Sequence, residues 1–127
     1  MNDKDGVDVL SSLGNRSRYG TSVCSGSLIL AAAGLLDGYR ANTHWSYRGV
    51  LARFLGVELT DGRVVTDRSW MTGGGVTAGI DFSLVLVGAQ LGDERAALLQ
   101  LLMECNPKAP YTSGYPDFAP AELVAVA

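Results

Sequence analysis

The stretch that decides the fold is YGTSVCSGS, residues 19–27. Its first five residues predict a short β-strand, and the helix-forming segment LILAAA follows directly at 28–33. Between the two, Cys24 is flanked by small residues that allow a sharp turn, which is the steric arrangement of a nucleophile elbow. A thiol at this turn faces the unpaired N–H groups at the helix start, which favour the thiolate form. The stretch therefore predicts a strand-to-helix elbow with Cys24 as a candidate nucleophile, although a free cysteine in general is more often a small buried hydrophobe.

Hydrophobic periodicity and turn residues predict the other elements on both sides of this junction. The helix over 28–36 is apolar on nearly all sides, so we expect it to be covered by other elements. The amphipathic helix at 46–55 is expected to turn five apolar side chains inward: Tyr47, Val50, Leu51, Phe54 and Leu55. The remaining predictions are a helix within 2–16, strands at 18–23 and 39–43, a hairpin of 63–66 with 69–72, helices at 76–90 (with Thr72 or Thr77 as cap) and 93–104, and an extended Pro-rich C-terminal tail at 106–127.

Composition excludes several classes of protein. The 127 residues carry 10 Lys and Arg against 13 Asp and Glu, a net charge of −3, so no basic surface for nucleic acid or an anionic membrane is predicted. The longest apolar run is far shorter than the roughly 20 residues that a membrane-spanning helix needs. Cys24 and Cys105 lack the spacing of a zinc site or a CxxC pair, which predicts two separate thiols, no metal and a reducing, cytoplasmic location.

Several motifs together resemble one known family. They are TSVCSGSL at 21–28, AAGLLDGYRA at 32–41, THW at 43–45, TGGGVTAGIDF at 72–82 and PDFAPAE at 116–122. This combination is similar to the DJ-1/PfpI superfamily and, within it, to the isocyanide (isonitrile) hydratases. The resemblance implies a flavodoxin-like, class I glutamine amidotransferase-like three-layer α/β sandwich, a single partial domain over 1–127, a homodimer, and a reactive cysteine on the elbow.

For this subgroup the resemblance implies a cysteine-dependent hydro-lyase that needs no cofactor. The Cys24 thiolate adds to the terminal carbon of an isocyanide, and water hydrolyses the resulting thioimidate to an N-substituted formamide. Ser25 stands where the subgroup usually has threonine and keeps a hydroxyl beside the cysteine. Gly74 and Val76 match the turn and helix start that form a wall near the cysteine. His44 lies at the offset where DJ-1 relatives carry a histidine, although a structural role is the commoner one for a single histidine.

The chain also departs from the family. The family's acidic residue that contacts the cysteine comes from the first strand region, which has no counterpart here, so the resemblance implies N-terminal truncation. We expect a partial hydratase; the alternatives are completion by another chain, or a naturally shortened product with a degraded site. Rival functions are a DJ-1-like glyoxalase, deglycase or redox sensor, and the ligand-sensing domain of an AraC-type regulator. The last would need a helix-turn-helix domain after the core, and no basic helical extension follows before Ala127.

Overall fold

The computed structural model describes residues 4–127, and the chain divides into two compact units at a point within one helix. The first unit ends at Phe82 and the second runs from Ser83 to Ala127. In chain order the helices are α1 (Lys4–Gly14), α2 (Gly26–Ala32), α3 (Arg48–Leu51), α4 (Ala78–Leu91), α5 (Asp93–Leu102) and α6 (Ala121–Val126). The strands are β1 (Gly20–Val23), β2 (Arg40–Ala41), β3 (Glu58–Leu59), β4 (Val64–Asp67) and β5 (Trp70–Gly73). Short 3₁₀ turns lie at Trp45–Tyr47 and Pro116–Phe118.

Two small sheets organise the first unit. In the larger sheet the order is β1-β5-β4, with β1 parallel to β5 and β4 antiparallel to β5. Val23 pairs with Gly73 at the carboxyl end of both parallel strands, so Cys24 leaves the sheet beside the Gly73–Gly75 turn. The second sheet is a parallel pair of β2 and β3. A hydrogen bond of 2.8 Å from the Asn42 N–H to Thr72 Oγ1 links the end of β2 to β5.

The core of the first unit lies between α2, α3 and the sheets. Its buried apolar side chains are those of Ala31, Leu35, Leu36, Ala41, Leu51 and Trp70. Trp70 also meets the Tyr39 ring edge-on, with 6.4 Å between ring centroids. Gly20 lies so close to the Trp70 ring that a Cβ there would overlap it, which explains a glycine in the middle of a strand-forming stretch.

Most predicted elements are present, with bounds shifted by a few residues. The hairpin of 63–66 with 69–72 is confirmed as β4 and β5, joined by a turn in which Arg68 has a φ of +53°. The helices within 2–16 and at 28–33, 76–90 and 93–104 correspond to α1, α2, α4 and α5. The two-residue strand β3 was not predicted. In the segment 106–127, residues 116–118 form a 3₁₀ turn and 121–126 form α6.

Two detailed predictions are wrong, and one of two alternatives is excluded. The helix predicted at 46–55 is a 3₁₀ turn followed by the short α3, and Leu55 is 99% exposed instead of facing inward. The helix α2 is covered only in part, because Ile29 remains 38% exposed. Of the two caps proposed for α4, Thr72 is excluded, because it is a buried residue of β5 whose hydroxyl accepts the Asn42 N–H; Thr77 directly precedes the helix.

Candidate active site

Cys24 occupies the turn between β1 and α2 in a conformation that few side chains adopt. Its φ is +58°, in the left-handed region that favours glycine, and its side chain is half-buried. A left-handed L-residue costs roughly 1–2 kcal/mol, and such strain is concentrated at functional sites. The backbone at Cys24 is therefore that of a strained strand-to-helix turn, as an elbow requires.

Hydrogen bonds on both sides of the Cys24 backbone hold this turn. The Cys24 N–H donates to the Gly74 carbonyl at 2.7 Å and to the Gly73 carbonyl at 3.2 Å. The Cys24 carbonyl accepts from Thr43 Oγ1 at 2.9 Å and from Ser27 Oγ at 3.4 Å. Both donors are buried side chains, so these bonds are shielded from water. Three segments, namely the elbow, the end of β2 and the Gly73–Gly75 turn, thus converge on one residue.

Ser25 lies next to the thiol with its side chain exposed. Its backbone is helical, with a φ of −71°, and its hydroxyl makes no capping bond to α2. The hydroxyl is therefore available to a water molecule or a ligand at the mouth of the elbow.

His44 lies beside the Gly73–Gly75 turn through its ring. A Cβ added at Gly75 would be 3.5 Å from His44 Cδ2 and 3.9 Å from Nε2. At its other nitrogen, Nδ1 accepts the Ser46 N–H at 3.3 Å and lies 2.8 Å from Ser46 Oγ. An Nδ1 that accepts leaves the proton of the neutral ring on Nε2, the nitrogen on the Gly75 side. Tyr47 and Trp45 flank the ring, at centroid separations of 6.2 and 5.5 Å.

Gly74 and Val76, the predicted wall residues, have different surroundings. Gly74 contacts the elbow directly through its carbonyl. Val76 lies in the turn two residues before α4 and is 80% exposed. The structure thus brings Cys24, Gly74 and His44 to one turn cluster, while Val76 is placed at its solvent side.

Two contacts of this cluster were not predicted from the sequence. Thr43 was noted only as part of a motif, yet its buried hydroxyl anchors the Cys24 carbonyl. The carbonyl of Arg63 accepts the Gly74 N–H at 3.0 Å, and no motif pointed to that residue. The position of Thr43 directly before His44 was the one sequence feature that could have indicated its role. No sequence feature indicates the role of Arg63, because its contact with Gly74 depends on the β4–β5 register.

Neither a metal cluster nor a spanning helix is found in the part of the chain that the structure describes. Between residues 4 and 127, no three or more His, Cys, Asp or Glu side chains are grouped so that they could hold a metal ion. Within the same residues, no helix is long and apolar enough to cross a membrane. Cys105 lies in the second unit, half-buried beside a surface hollow of about 440 Å³.

Comparison with known proteins connects this geometry to a family. The chain is 48% identical over 124 residues to the isonitrile hydratase of Pseudomonas putida, and the match covers 98% of this chain and 54% of that protein. The crystal structure of a ThiJ/PfpI family protein from Pseudomonas syringae superposes with a TM-score of 0.91 at 45% identity, over 98% of this chain and 51% of that one. The chain is also 34% identical over 97 residues to the HTH-type transcriptional regulator GbdR of Pseudomonas aeruginosa, over 76% of this chain and 26% of the regulator.

These comparisons establish the fold and the family. The flavodoxin-like α/β fold expected from the sequence is confirmed by the superposition, and the chain spans about half the length of the relatives it matches. The sequence profile of the DJ-1/PfpI family matches residues 2–89, which include the elbow, the Thr43–Trp45 segment and the Gly73–Gly75 turn. This chain belongs to the DJ-1/PfpI family.

Proposed function

We propose that this chain carries the nucleophile of an isocyanide-hydrating enzyme, a cysteine-dependent hydro-lyase, and that Cys24 is that nucleophile. The observation that carries the proposal is the left-handed Cys24 in the strand-to-helix turn, held by two glycine carbonyls. The identity of 48% to an isonitrile hydratase supports the substrate class.

The proposed reaction adds the elements of water to the terminal carbon of R–N≡C. The sulfur of Cys24 forms a bond to that carbon and one proton is delivered to it, which gives the thioimidate R–N=CH–S–Cys. Water then adds to the same carbon, a proton moves to nitrogen, and the C–S bond breaks with return of a proton to sulfur. The products are R–NH–CHO and free Cys24. The net reaction is therefore the addition of one H₂O to R–NC, and no redox partner is needed.

The neighbouring residues have supporting roles in this proposal. The exposed Ser25 hydroxyl positions the attacking water, because it has no capping bond to break. Gly74 holds the elbow through its carbonyl, and Val76 contributes the outer wall. His44 presents its Nε2–H to the Gly75 side of the cluster, where it can donate to a polar group of the substrate.

The proton donor for the first step is assigned to the rest of the fold. The described hydrogen bonds of Cys24 involve its backbone only, and none comes from a carboxylate. We propose that an acidic residue from the half of the relatives' fold that this chain does not span supplies the proton during rapid turnover, whether on the same or another polypeptide. Without that residue, solvent water protonates the carbon more slowly, so the Cys24 adduct still forms. The active form would be a homodimer in the cytoplasm and would use no cofactor.

The test separates bond formation from turnover. The 127-residue protein is incubated with an aryl isocyanide and followed by intact-protein mass spectrometry and by detection of the formamide. The expected result is a mass increase equal to that of the isocyanide, located at Cys24 by peptide mapping and lost in Cys24→Ala. Cys105→Ala is the matched control and should retain the adduct. An adduct that persists in Cys24→Ala, or neither adduct nor formamide in the unaltered protein, would contradict the proposal.

A second candidate function is ligand sensing in an AraC-type regulator. It is favoured by the 97-residue match to GbdR, which covers 76% of this chain. The two functions differ in outcome: a sensor binds a small molecule without consuming it, so calorimetric binding without formamide release would favour the sensor. Sulfinate formation at Cys24 in dilute peroxide, with turnover of glyoxals and not of isocyanides, would instead favour DJ-1-like chemistry.

A further inference from the structure

Arg63 reaches the elbow through its main chain. Its carbonyl accepts the Gly74 N–H at 3.0 Å, and the Gly74 carbonyl in turn accepts the Cys24 N–H at 2.7 Å. This arrangement extends the β4–β5 pairing by one residue beyond the Val64 and Gly73 pair. A displacement of the Arg63 backbone would therefore be transmitted to Cys24 through one residue, Gly74, whose N–H and carbonyl make the two bonds.

The Arg63 side chain contacts the segment on the other side of the same turn. Its Nη2 donates to Thr77 Oγ1 at 2.8 Å, and its Nε forms an ion pair with Asp81. Thr77 immediately precedes α4, and Asp81 lies in the first turn of that helix. Asp81 is four residues after Thr77, so one guanidinium bridges two side chains on the same face of the helix start.

The turn between these two contacts has no side chain of its own to hold it. Gly73, Gly74 and Gly75 are consecutive, and glycine has the largest conformational freedom to lose on ordering. A Cβ at Gly74 would have no neighbour closer than 3.8 Å, so the turn is not confined by packing there. Restraint on the Gly74 carbonyl must come from hydrogen bonds and from the segments on its two sides.

We propose that Arg63 is the positioning residue of the Cys24 elbow. It clamps β4 to the start of α4 and thereby fixes the Gly74 carbonyl that holds the Cys24 N–H. The inference rests on the proposed function for its catalytic meaning, because a loosened elbow places the sulfur less accurately against the isocyanide carbon. Arg63 itself does not touch the reacting atoms in this proposal.

The first measurement is amide hydrogen exchange at Cys24 and Gly74 in the full 127-residue protein, read by NMR. Arg63→Ala should accelerate exchange at both amides by about three- to tenfold, while amides of α2 keep their rates. Asp81→Asn should also accelerate exchange at these two amides. Arg63→Lys should give exchange rates between those of the unaltered protein and Arg63→Ala, because lysine keeps the charge but not the two-pronged contact. Arg53→Ala, at an exposed arginine of the same unit, is the matched control.

The second measurement is the rate at which an aryl isocyanide adds to Cys24, followed by intact-protein mass spectrometry. Arg63→Ala should lower the maximal rate of addition with little change in the isocyanide concentration that gives half of it, since the sulfur is placed less accurately. Unchanged exchange at Cys24 and Gly74 in both Arg63→Ala and Asp81→Asn would overturn the clamp. Accelerated exchange in a protein whose Cys24 never adds an isocyanide would uphold the clamp and contradict the proposed function, so the two failures are distinguishable. Far-UV circular dichroism identifies any variant that fails to fold, and Arg63→Lys then decides the test.

Discussion

Cys24 combines a reactive side chain with a backbone conformation that a side chain makes costly. The sequence predicted a sharp turn at this residue from the small residues on both sides of it. The sign of φ was not predictable, because the left-handed conformation is held by hydrogen bonds from the Cys24 N–H to the Gly73 and Gly74 carbonyls and from the Thr43 hydroxyl to the Cys24 carbonyl, and these partners are distant in sequence. A cysteine at a position that suits glycine is consistent with the chemical role proposed for its thiol.

Replacement of Cys24 should show this strain directly. Cys24→Gly removes the Cβ that is unfavourable at φ +58°, whereas Cys24→Ala retains it. We expect the glycine variant to be more stable than the alanine variant by about 0.5–1 kcal/mol, after the greater entropy of glycine in the unfolded chain is subtracted. Urea unfolding measures the difference.

The neighbouring Ser25 supplies the control for this comparison. Its φ is −71°, so the order should reverse, with Ser25→Ala more stable than Ser25→Gly. An alanine variant at Cys24 that equals or exceeds the glycine variant would show that the turn is not strained.

The elements of the first unit are joined by a polar contact at the β4–β5 hairpin. The Arg40 N–H donates to Asp67 Oδ2 at 2.8 Å and so links β2 to the end of β4. This hydrogen bond is the main reason why the pKa of Asp67 lies below its ordinary value; the hydrogen bond and charge of Arg68 and the charge of Arg40 add to it, and partial desolvation opposes it. Arg68 also stacks on the Tyr39 ring, 3.6 Å from its centroid.

This lowered pKa predicts the pH dependence of stability. A carboxylate whose folded pKa is depressed stabilises the protein fully above its unfolded pKa, about 3.9 for aspartate, and loses that contribution as the pH falls through the folded value. Asp67→Asn should therefore be less stable than the unaltered protein at pH 7, and the difference should shrink below about pH 4. Thermal melts from pH 2 to 7 measure this.

The matched control for the acid limb is Glu122→Gln, at an exposed residue of α6 outside the hairpin. Glu122→Gln should leave the difference in melting temperature between pH 7 and pH 3 nearly the same as in the unaltered protein. A constant offset between Asp67→Asn and the unaltered protein across the whole pH range would show that the charge of Asp67 plays no part.

Helices with strong local signals were predictable, and short strands were not. Periodic apolar residues and the flanking Gly34 and Gly92, both with positive φ, account for α2, α4 and α5. The segment 46–55 has the same periodicity, but its helix ends at Leu51. There the chain turns so that the Gly56 carbonyl accepts the Gly38 N–H at 2.6 Å and β3 pairs with β2. This parallel pairing is non-local, and it overrides the local preference for helix.

On the scale of the whole molecule, the two units differ in how much they bury. The first contains every buried residue of the described chain, including Leu36, Leu51 and Met71. Between Ser83 and Ala127 no residue is buried, and several large apolar side chains are more than half exposed: Leu91, Leu98, Leu101, Leu102, Met103, Tyr111, Phe118, Leu123 and Val126. Because burial of apolar surface is the main source of stability, the second unit has little of its own.

This difference predicts unequal protection from hydrogen exchange. Amides of β5 should be protected close to the global free energy of unfolding, and amides of α5 should exchange at least about 100-fold faster. Exchange followed by mass spectrometry at micromolar protein concentration, with light scattering to report the oligomeric state, tests this. Equal protection of α5 and β5 in a protein shown to be monomeric would contradict the prediction.

The sequence by itself determined the features that depend on neighbouring residues: the strand, cysteine and helix junction, the two longer helices after it (α4 and α5), the hairpin of β4 and β5, and the family resemblance. Only the tertiary structure decided that β1 lies parallel to β5, that Thr43 and Gly74 hold the Cys24 backbone, and that Arg63 joins β4 to the start of α4. The physical reason is the range of the interactions. Periodicity and turn chemistry act within a few residues, whereas these contacts join segments about 10 to 50 residues apart, and their register is set by packing of the whole unit.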